Sequence, residues 1–455
     1  MKSITYSIFV LVALLVSCED YLEIDPPKNQ LAGENIFTES TTVDGVFAHI
    51  YAQFRDQAFT KGSTTGLSYL FGHYADELDH LSEGQPLTRS YYNNGVLATE
   101  GTGDLWNVSY NIIYDCNRIL EGVNGSKSLD SALKDRFLGE AYFVRAFVHF
   151  YITNFFGEIP YITTTDYRVN QKVVRDDVES VYQHLEEDLL LATELLSETS
   201  GDGTNFRPNR WTAAALLSRV YLYQDKWQLA LNEAELVIGN SGYGLEPNLD
   251  LVFLKDSPET LWQLDTGMEG ENTDEAGTFV PVSAPPSNTA LNTALLEAFE
   301  PGDARREQWV GSITDGSQTW YFPYKYKERM ATDQTQECPI LLRLVEAYLI
   351  AAEASAQLGN LEDGLDYLNA IRERATLDEL GSMGREELLE AILQERRIEL
   401  FSELGHRYFD LKRTGRADAV LGLLKPFWDP TDILLPLPED ELLKNPKLLP
   451  QNEGY

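Results

Sequence analysis

Basic side chains are scarce in this sequence. There are 36 lysines and arginines against 72 aspartates and glutamates among 455 residues, for a formal net charge of −36 at pH 7. A surface of this sign repels nucleic acid, so no nucleic-acid partner is expected, and partners should be neutral or cationic. At 43% apolar and 24% charged residues, the composition is that of a globular protein rather than a disordered one.

Cysteine is also rare, with three in the chain. Cys116 and Cys338 could pair in an oxidising compartment, but two cysteines do not form a disulfide framework, and two separate buried thiols are favoured. Metal binding by them has little support because no third or fourth ligand lies near either in sequence. The third, Cys18, closes an N-terminal apolar segment.

Catalytic motifs are missing: there is no His-Glu-x-x-His, Walker loop or Gly-x-Ser-x-Gly. Glu403, His406 and Asp410 are spaced to share a helical face, but ion pairing with nearby arginines is favoured over metal binding. The acidic stretch Asp76–Asp79 could bind calcium, although a solvated stretch is favoured. We therefore predict no catalytic residues, no metal and no cofactor.

The apolar run from Ile4 to Val16 follows Met1-Lys2 and is shorter than the roughly 20 residues that span a bilayer. It fits the core of a secretory signal, which predicts a signal peptide over residues 1–17. Its end, Leu15-Val16-Ser17-Cys18, resembles a bacterial lipobox, in which the cysteine is lipidated after cleavage before it. We predict a lipid anchor on Cys18; an ordinary signal peptide with an incidental cysteine is the alternative.

Residues 18–40 are predicted to form the lipidated N-terminus and an extended tether, because Pro26-Pro27 forbids helix there. Helical periodicity starts at about Thr41. Residues 41–455 are interpreted as a single domain.

Two segments of this domain repeat one another loosely, each as an Ala-rich helix, a tight turn and a second helix. They run from Trp211 to Ala234 and from Leu344 to Ile371. Small residues let antiparallel helices approach closely, and a hairpin of about 34 residues is the tetratricopeptide-repeat unit. Such pairs cannot bury their faces alone, so we predict a mostly α fold in which they stack into a curved scaffold.

Two other regions lose helical period. Residues 60–103 are rich in Gly, Ser, Thr, Asn and Tyr, and we interpret them as long loops. Residues 240–335 combine Gly, Pro, Ser and Thr with aromatics, and we interpret them as an inserted, loop-rich lobe that contains short strands.

Several passages along the chain carry a common signature. They are Cys18–Pro26, Arg145–Tyr151, Phe155–Tyr161, Glu395–Leu400, Gly405–Arg413, Asn445-Pro446 and Gln451–Tyr455. In this order they resemble the SusD/RagB family of outer-membrane nutrient-binding lipoproteins. They span nearly the whole mature chain.

The resemblance implies a lipoprotein of the outer membrane, on the cell surface, that lies over a TonB-dependent transporter barrel. Family members capture oligosaccharides, or in some cases peptides, and pass them to the barrel without hydrolysis. No binding residue can be transferred by motif, because ligand residues vary within the family. A surface glycan hydrolase, which needs two carboxylates about 5–10 Å apart, and a helical-repeat scaffold without a small ligand are the alternatives.

The two loop regions supply the candidate ligand residues. Sugar C–H faces are apolar, so aromatic rings can pack on them while polar groups bind the hydroxyls. The candidates are Tyr69, His73, Asp76, Tyr91 and Tyr92 from the first region and Trp309, Trp320 and Tyr324 from the second. We predict that the two groups converge on one site; the alternative is that most of these rings pack the loops onto the body.

Overall fold

The structure is a computed structural model that describes residues 36–82, 84–199, 203–240 and 242–455. The predicted signal peptide, Cys18 and most of the predicted tether lie outside the described residues. Within the described ranges, no helix combines the length and apolar character needed to cross a membrane.

The fold is mostly α, as predicted. The helices of the first half are α1 (Ser40–Asp56), α2 (Leu67–Tyr74), α3 (Pro86–Tyr92), α4 (Gly103–Gly125), α5 (Ser131–Phe156), α6 (Tyr167–Asn170), α7 (Val178–Leu195), α8 (Arg210–Leu222) and α9 (Trp227–Ile238). Those of the second half are α10 (Asp274–Phe279), α11 (Thr293–Leu296), α12 (Ala304–Gln308), α13 (Leu344–Leu358), α14 (Leu361–Arg374), α15 (Arg385–Glu399), α16 (His406–Arg413), α17 (Ala417–Leu424) and α18 (Glu439–Lys444). Short 3-10 helices cover Ile36–Thr38, Leu249–Leu251, Pro430–Ile433 and Pro446–Leu448.

Both predicted hairpins are present, as α8–α9 and α13–α14. Helix α8 is capped by Asn209, whose side-chain oxygen accepts hydrogen bonds from the backbone N–H groups of Trp211 and Thr212. Helix α13 is followed by Gly359, which has φ of +88°, a conformation that costs glycine little. The helices stack in sequence, α4 on α5, α5 on α7, α7 on α8, and α9 on α13, which builds the tetratricopeptide-like scaffold.

The core around α5 is rich in aromatic rings. The Phe147 and Trp262 rings meet edge to face with centroids 4.9 Å apart, and the Phe59 and Tyr151 centroids are 4.7 Å apart. Such pairs contribute about 0.5–1.5 kcal/mol beyond the area that they bury. The region is therefore held together mainly by apolar packing.

The inserted lobe lies between α9 and α13. Its strands are β2 (Thr260–Gln263), β3 (Thr289–Leu291), β4 (Val310–Thr314) and β5 (Thr319–Pro323), and β6 (Ile340–Arg343) leads into α13. Strand β2 pairs antiparallel with β6, and β4 with β5. The prediction of short strands within a loop-rich lobe is confirmed.

Residues 60–103 differ from the predicted long loops, because they contain α2, α3 and strand β1 (Leu78–His80). Every residue of α2 except Ser68 is buried. A helix that is buried on all sides has no polar face, so it shows no amphipathic period in the sequence. The loop interpretation of this region is therefore corrected.

Charged side chains attach the lobe to the helices around α15. The Glu399 carboxylate accepts hydrogen bonds from Arg305, Arg343 and Arg374 at 2.6–3.1 Å, and all four side chains are almost fully buried. Burial alone would raise the pKa of Glu399, but the three guanidinium groups hold it well below its ordinary value. Buried ion pairs thus join the inserted lobe to α14 and α15.

Cys116 and Cys338 are both free and buried. The interpretation of two separate thiols is confirmed.

Candidate ligand-binding face

The two regions that supplied the candidate residues meet at a short sheet. Strand β1 pairs antiparallel with β3 of the lobe, with Leu78 opposite Leu291 and His80 opposite Thr289. The Asn292 amide also donates to an Asp79 carboxylate oxygen at 2.7 Å. The N-terminal region and the lobe are therefore joined by strand pairing here.

The β4–β5 hairpin lies next to this junction, because β5 lies beside β3. Within the hairpin, Phe322 is opposite Gly311. A Cβ atom at position 311 would collide with the Phe322 ring, so glycine permits the ring to pack there. Trp320, two residues before Phe322, projects to the same side of β5.

Five of the eight candidate side chains are in the core rather than on the surface. Their exposure is between 0% and 3%, and they are Tyr69, His73, Asp76, Tyr91 and Trp309. A ligand cannot pack on a ring that has no free face. For these five residues the prediction of a ligand-contacting role is corrected, and the alternative of packing holds.

Local partners satisfy the polar atoms of these rings, which explains why they can be buried. Trp309 donates its indole N–H to the Leu249 carbonyl at 2.9 Å, and Tyr91 donates its hydroxyl to the Gly101 carbonyl at 3.0 Å. His73 contacts the Thr289 hydroxyl at 3.1 Å, and burial lowers the pKa of its ring to about 3. A neutral His73 therefore helps to fix β3 against α2.

The acidic stretch that begins at Asp76 is not solvated at its start. Asp76 is buried and accepts hydrogen bonds from Arg397 and Arg407 at 2.7–2.9 Å. Glu77 accepts from the backbone N–H of Ser402, and burial raises the pKa of Glu77 to about 8. The interpretation of an exposed acidic stretch is wrong for both residues, because arginines and a backbone N–H group replace water there.

Glu403 and Asp410 are also occupied by ion pairs, and they do not share a helical face because Glu403 precedes α16. Glu403 pairs with Lys325 and Arg343, and Asp410 pairs with Arg396 and Arg413. The favoured interpretation is ion pairing with nearby arginines. Asp410 does pair with Arg396, whereas Glu403 pairs with residues from outside this segment.

Tyr92 is half-buried and has one ring face occupied. The Lys425 ammonium lies 4.0 Å from the ring centroid and donates to the carbonyls of His73 and Tyr92. Burial lowers the pKa of Lys425 to about 8. Sequence reasoning missed Lys425, which is 333 residues away in the chain, and also His80, whose half-buried ring lies 6.0 Å from that of Tyr92.

Trp320 and Tyr324 are the half-buried candidates of the lobe. The Tyr324 ring lies 5.9 Å from Phe322 and 5.2 Å from the Lys327 ammonium. The Trp320 side chain makes no hydrogen bond or ring contact with any residue in the described ranges. Its indole N–H and part of its ring are therefore available to a ligand.

The three remaining candidates are not in contact with one another. Among the described residues, no ring pair joins Tyr92, Trp320 and Tyr324. They are carried by α3, β5 and the segment after β5, and the β1–β3 pair connects these elements. The arrangement offers separated aromatic platforms, which suits a ligand of several units better than a single small molecule.

Stacked helix hairpins that carry an inserted lobe with partly exposed rings define a class of helical-repeat binding proteins. Residues 20–222 match a family model described as starch-binding associating with outer membrane, and residues 305–455 match the model of the SusD family. Together these two matches cover most of the sequence, and the chain belongs to the SusD family.

Two curated relatives come from Formosa agariphila. SusD-like protein P2 is 28% identical, over the full length of both chains. SusD-like protein P25 is 25% identical, over 96% of this chain and 97% of the relative.

Solved structures share the fold over nearly the whole chain. A SusD superfamily protein from Bacteroides vulgatus has a TM-score of 0.77 at 25% identity, covering 92% of this chain and all of that one. A laminarin binding SusD-like protein has a TM-score of 0.79 at 23% identity, covering 91% and 99%. Surface glycan-binding protein A from Bacteroides fluxus has a TM-score of 0.78 at 20% identity, covering 92% and 100%.

Proposed function

We propose that this protein binds an oligosaccharide at the cell surface and delivers it to a TonB-dependent outer-membrane transporter, without converting it. The observation that carries the proposal is the unpartnered, half-buried indole of Trp320. Tyr92 and Tyr324 would provide further platforms, and Cys18 the lipid anchor.

The chemistry of the face supports a glycan. An aromatic ring packs against the apolar C–H face of a sugar, and the indole N–H can donate to a hydroxyl at the ring's edge. Because Lys425 covers one face of Tyr92, a sugar would stack on the other. The names of two structural neighbours, which refer to laminarin and surface glycans, support the same ligand class.

The proposal of binding without hydrolysis is supported by the state of the nearby carboxylates. A hydrolase needs one carboxyl group as acid and a second as base or nucleophile on either side of the bond. Here Asp76 is paired with two arginines, Glu77 is buried, and Asp79 accepts from Asn292.

The outer-membrane location and the barrel partner are supported by the lipobox-like Leu15–Cys18 and by the family description, which includes association with the outer membrane. Peptide cargo is the second candidate. It is favoured by a cavity of about 390 Å³ next to α3, in which Lys61, Glu100 and Asp104 could bind the two charged ends of a peptide.

Isothermal titration calorimetry with laminarin oligosaccharides, maltooligosaccharides and short peptides tests the proposal. We expect heat with a glycan, and at least about tenfold weaker binding after Trp320→Ala, with a smaller loss after Tyr92→Ala. Trp227→Ala, at a half-buried position on α9, is the matched control and should bind normally.

Chromatography of the incubated glycan provides the second measurement. Shortened products would identify a hydrolase, and heat with peptides alone would favour the second candidate. Normal glycan binding by both variants would disprove the aromatic face as the site.

A further inference from the structure

A second cavity lies between α15, α16 and α17. Its volume is about 340 Å³. Three arginines line it, Arg397, Arg407 and Arg416, together with the carboxylates of Glu390 and Asp410. Three arginines in one cavity are unexpected in a chain with a net charge of −36.

The carboxylates around this cavity do not match its cations. Arg397 and Arg407 share the single carboxylate of Asp76. Asp410 is not available to them, because it already binds Arg396 and Arg413. Positive charge therefore remains on the cavity wall.

Glu77 and Glu353 do not supply the missing charge. Burial raises the pKa of Glu77 to about 8, so its carboxyl group is largely protonated at pH 7. Glu353 forms a bidentate pair with Arg413. Only Arg416 has a carboxylate to itself, the exposed Glu390.

Hydrogen-bond donors are in surplus as well. The Nε atom of Arg397, which lines the cavity, is buried and has no partner among the described residues. In Arg407, the two hydrogen bonds to Asp76 use Nε and Nη2 and leave Nη1 without a partner in the described chain. Unmet donors in a cationic cavity favour a ligand that accepts hydrogen bonds and carries negative charge.

We propose that this cavity binds an oxyanion, either the carboxylate of a sugar acid or a free inorganic oxyanion such as sulfate. The guanidinium group presents N–H donors in a planar fork that matches carboxylate and sulfate oxygens. Leu393, Leu411 and Val420 form apolar parts of the wall, and lower local polarity strengthens the attraction. The site shares no residue with the proposed aromatic face and does not depend on it.

Two substitutions at the cavity rim, one at half-buried Arg416 and one at exposed Glu390, should change affinity in opposite directions. Arg416→Gln removes a cation, and we expect sulfate or glucuronate to bind at least about fivefold more weakly. Glu390→Gln removes the repelling carboxylate and frees the fork of Arg416, and we expect binding to be about threefold tighter. Glu362→Gln on α14 and Arg385→Gln at the start of α15 repeat the charge changes at exposed sites outside the cavity and should have no effect.

The measurement is calorimetric titration of the full chain with sodium glucuronate, sodium sulfate and neutral glucose at constant ionic strength. Binding of glucuronate but not glucose supports a sugar acid as the source of the oxyanion. Binding of sulfate alone supports a free inorganic ion.

If neither glucuronate nor sulfate binds at about 10 mM, the proposal is overturned. Equal affinities in the two rim variants would also overturn it. Each variant should unfold at the same temperature as the wild type, which would show that the substitution changes binding and not folding.

Discussion

Around Phe147 of α5 the core is built from aromatic rings, whereas around Glu399 of α15 it contains a network of buried ion pairs. Phe147 contacts five other rings, those of Phe54, Phe59, Phe143, Tyr151 and Trp262. Glu399 instead binds three arginines in a region that is equally dry. Apolar contacts are many and individually small, but a buried charge depends on every one of its partners. The two regions should therefore respond differently to substitution, pH and salt.

The largest effect is expected at Glu399. Glu399→Gln keeps the shape but leaves three buried guanidinium groups short of one negative charge, and we expect a loss of about 3–5 kcal/mol in the free energy of unfolding. Urea denaturation measures it. The same change in an exposed pair, Glu390→Gln, should cost less than about 1 kcal/mol. Similar losses for the two variants would contradict the difference that we draw between buried and exposed ion pairs.

A smaller loss is expected in the aromatic region. Phe147→Leu removes ring contacts and leaves a partial cavity, and should lower the free energy of unfolding by about 2 kcal/mol. The loss should be the same at pH 5 and pH 7 and in high salt, because no charge is involved. Phe427→Leu, at an exposed position, is the control. A salt-dependent loss for Phe147→Leu would show that the two regions are coupled.

The third effect is a dependence of stability on pH, which is smallest when it is expressed per pH unit. Burial lowers the pKa of His149 to about 3, below its ordinary value of 6.5. The unfolded chain therefore gains a proton below pH 6.5 that the folded chain resists until about pH 3, so this contribution to stability is complete above pH 6.5 and declines as pH falls. The slope is about 1.4 kcal/mol per pH unit for each such proton.

His149→Gln should reduce the slope by one proton between pH 6.5 and pH 3, in urea midpoints measured across that range. His73 and His406, whose pKa values burial lowers to about 3 and about 4, continue to contribute. An unchanged slope in His149→Gln would mean that His149 is not held neutral.

The helix hairpins could be predicted from sequence, because α8–α9 and α13–α14 each combine small residues with a recurrent apolar pattern. Helix α2 could not, since all of its residues except Ser68 are buried and it shows no amphipathic period. Composition identified the segments that form the candidate face but not which rings are exposed. Tyr91 and Tyr92 are adjacent, yet one is buried and the other half-buried, and only tertiary packing decides this. That Trp320 contacts a ligand stays a prediction.

The two buried thiols lie in different parts of the molecule. Cys116 is on α4, against the helical core, and Cys338 comes two residues before β6 of the lobe. A thiol reagent can modify either one only after the surrounding structure opens. Mass spectrometry can measure the labelling rate at each position separately. Faster labelling of Cys338 than of Cys116 would show that the lobe opens before the helical scaffold unfolds.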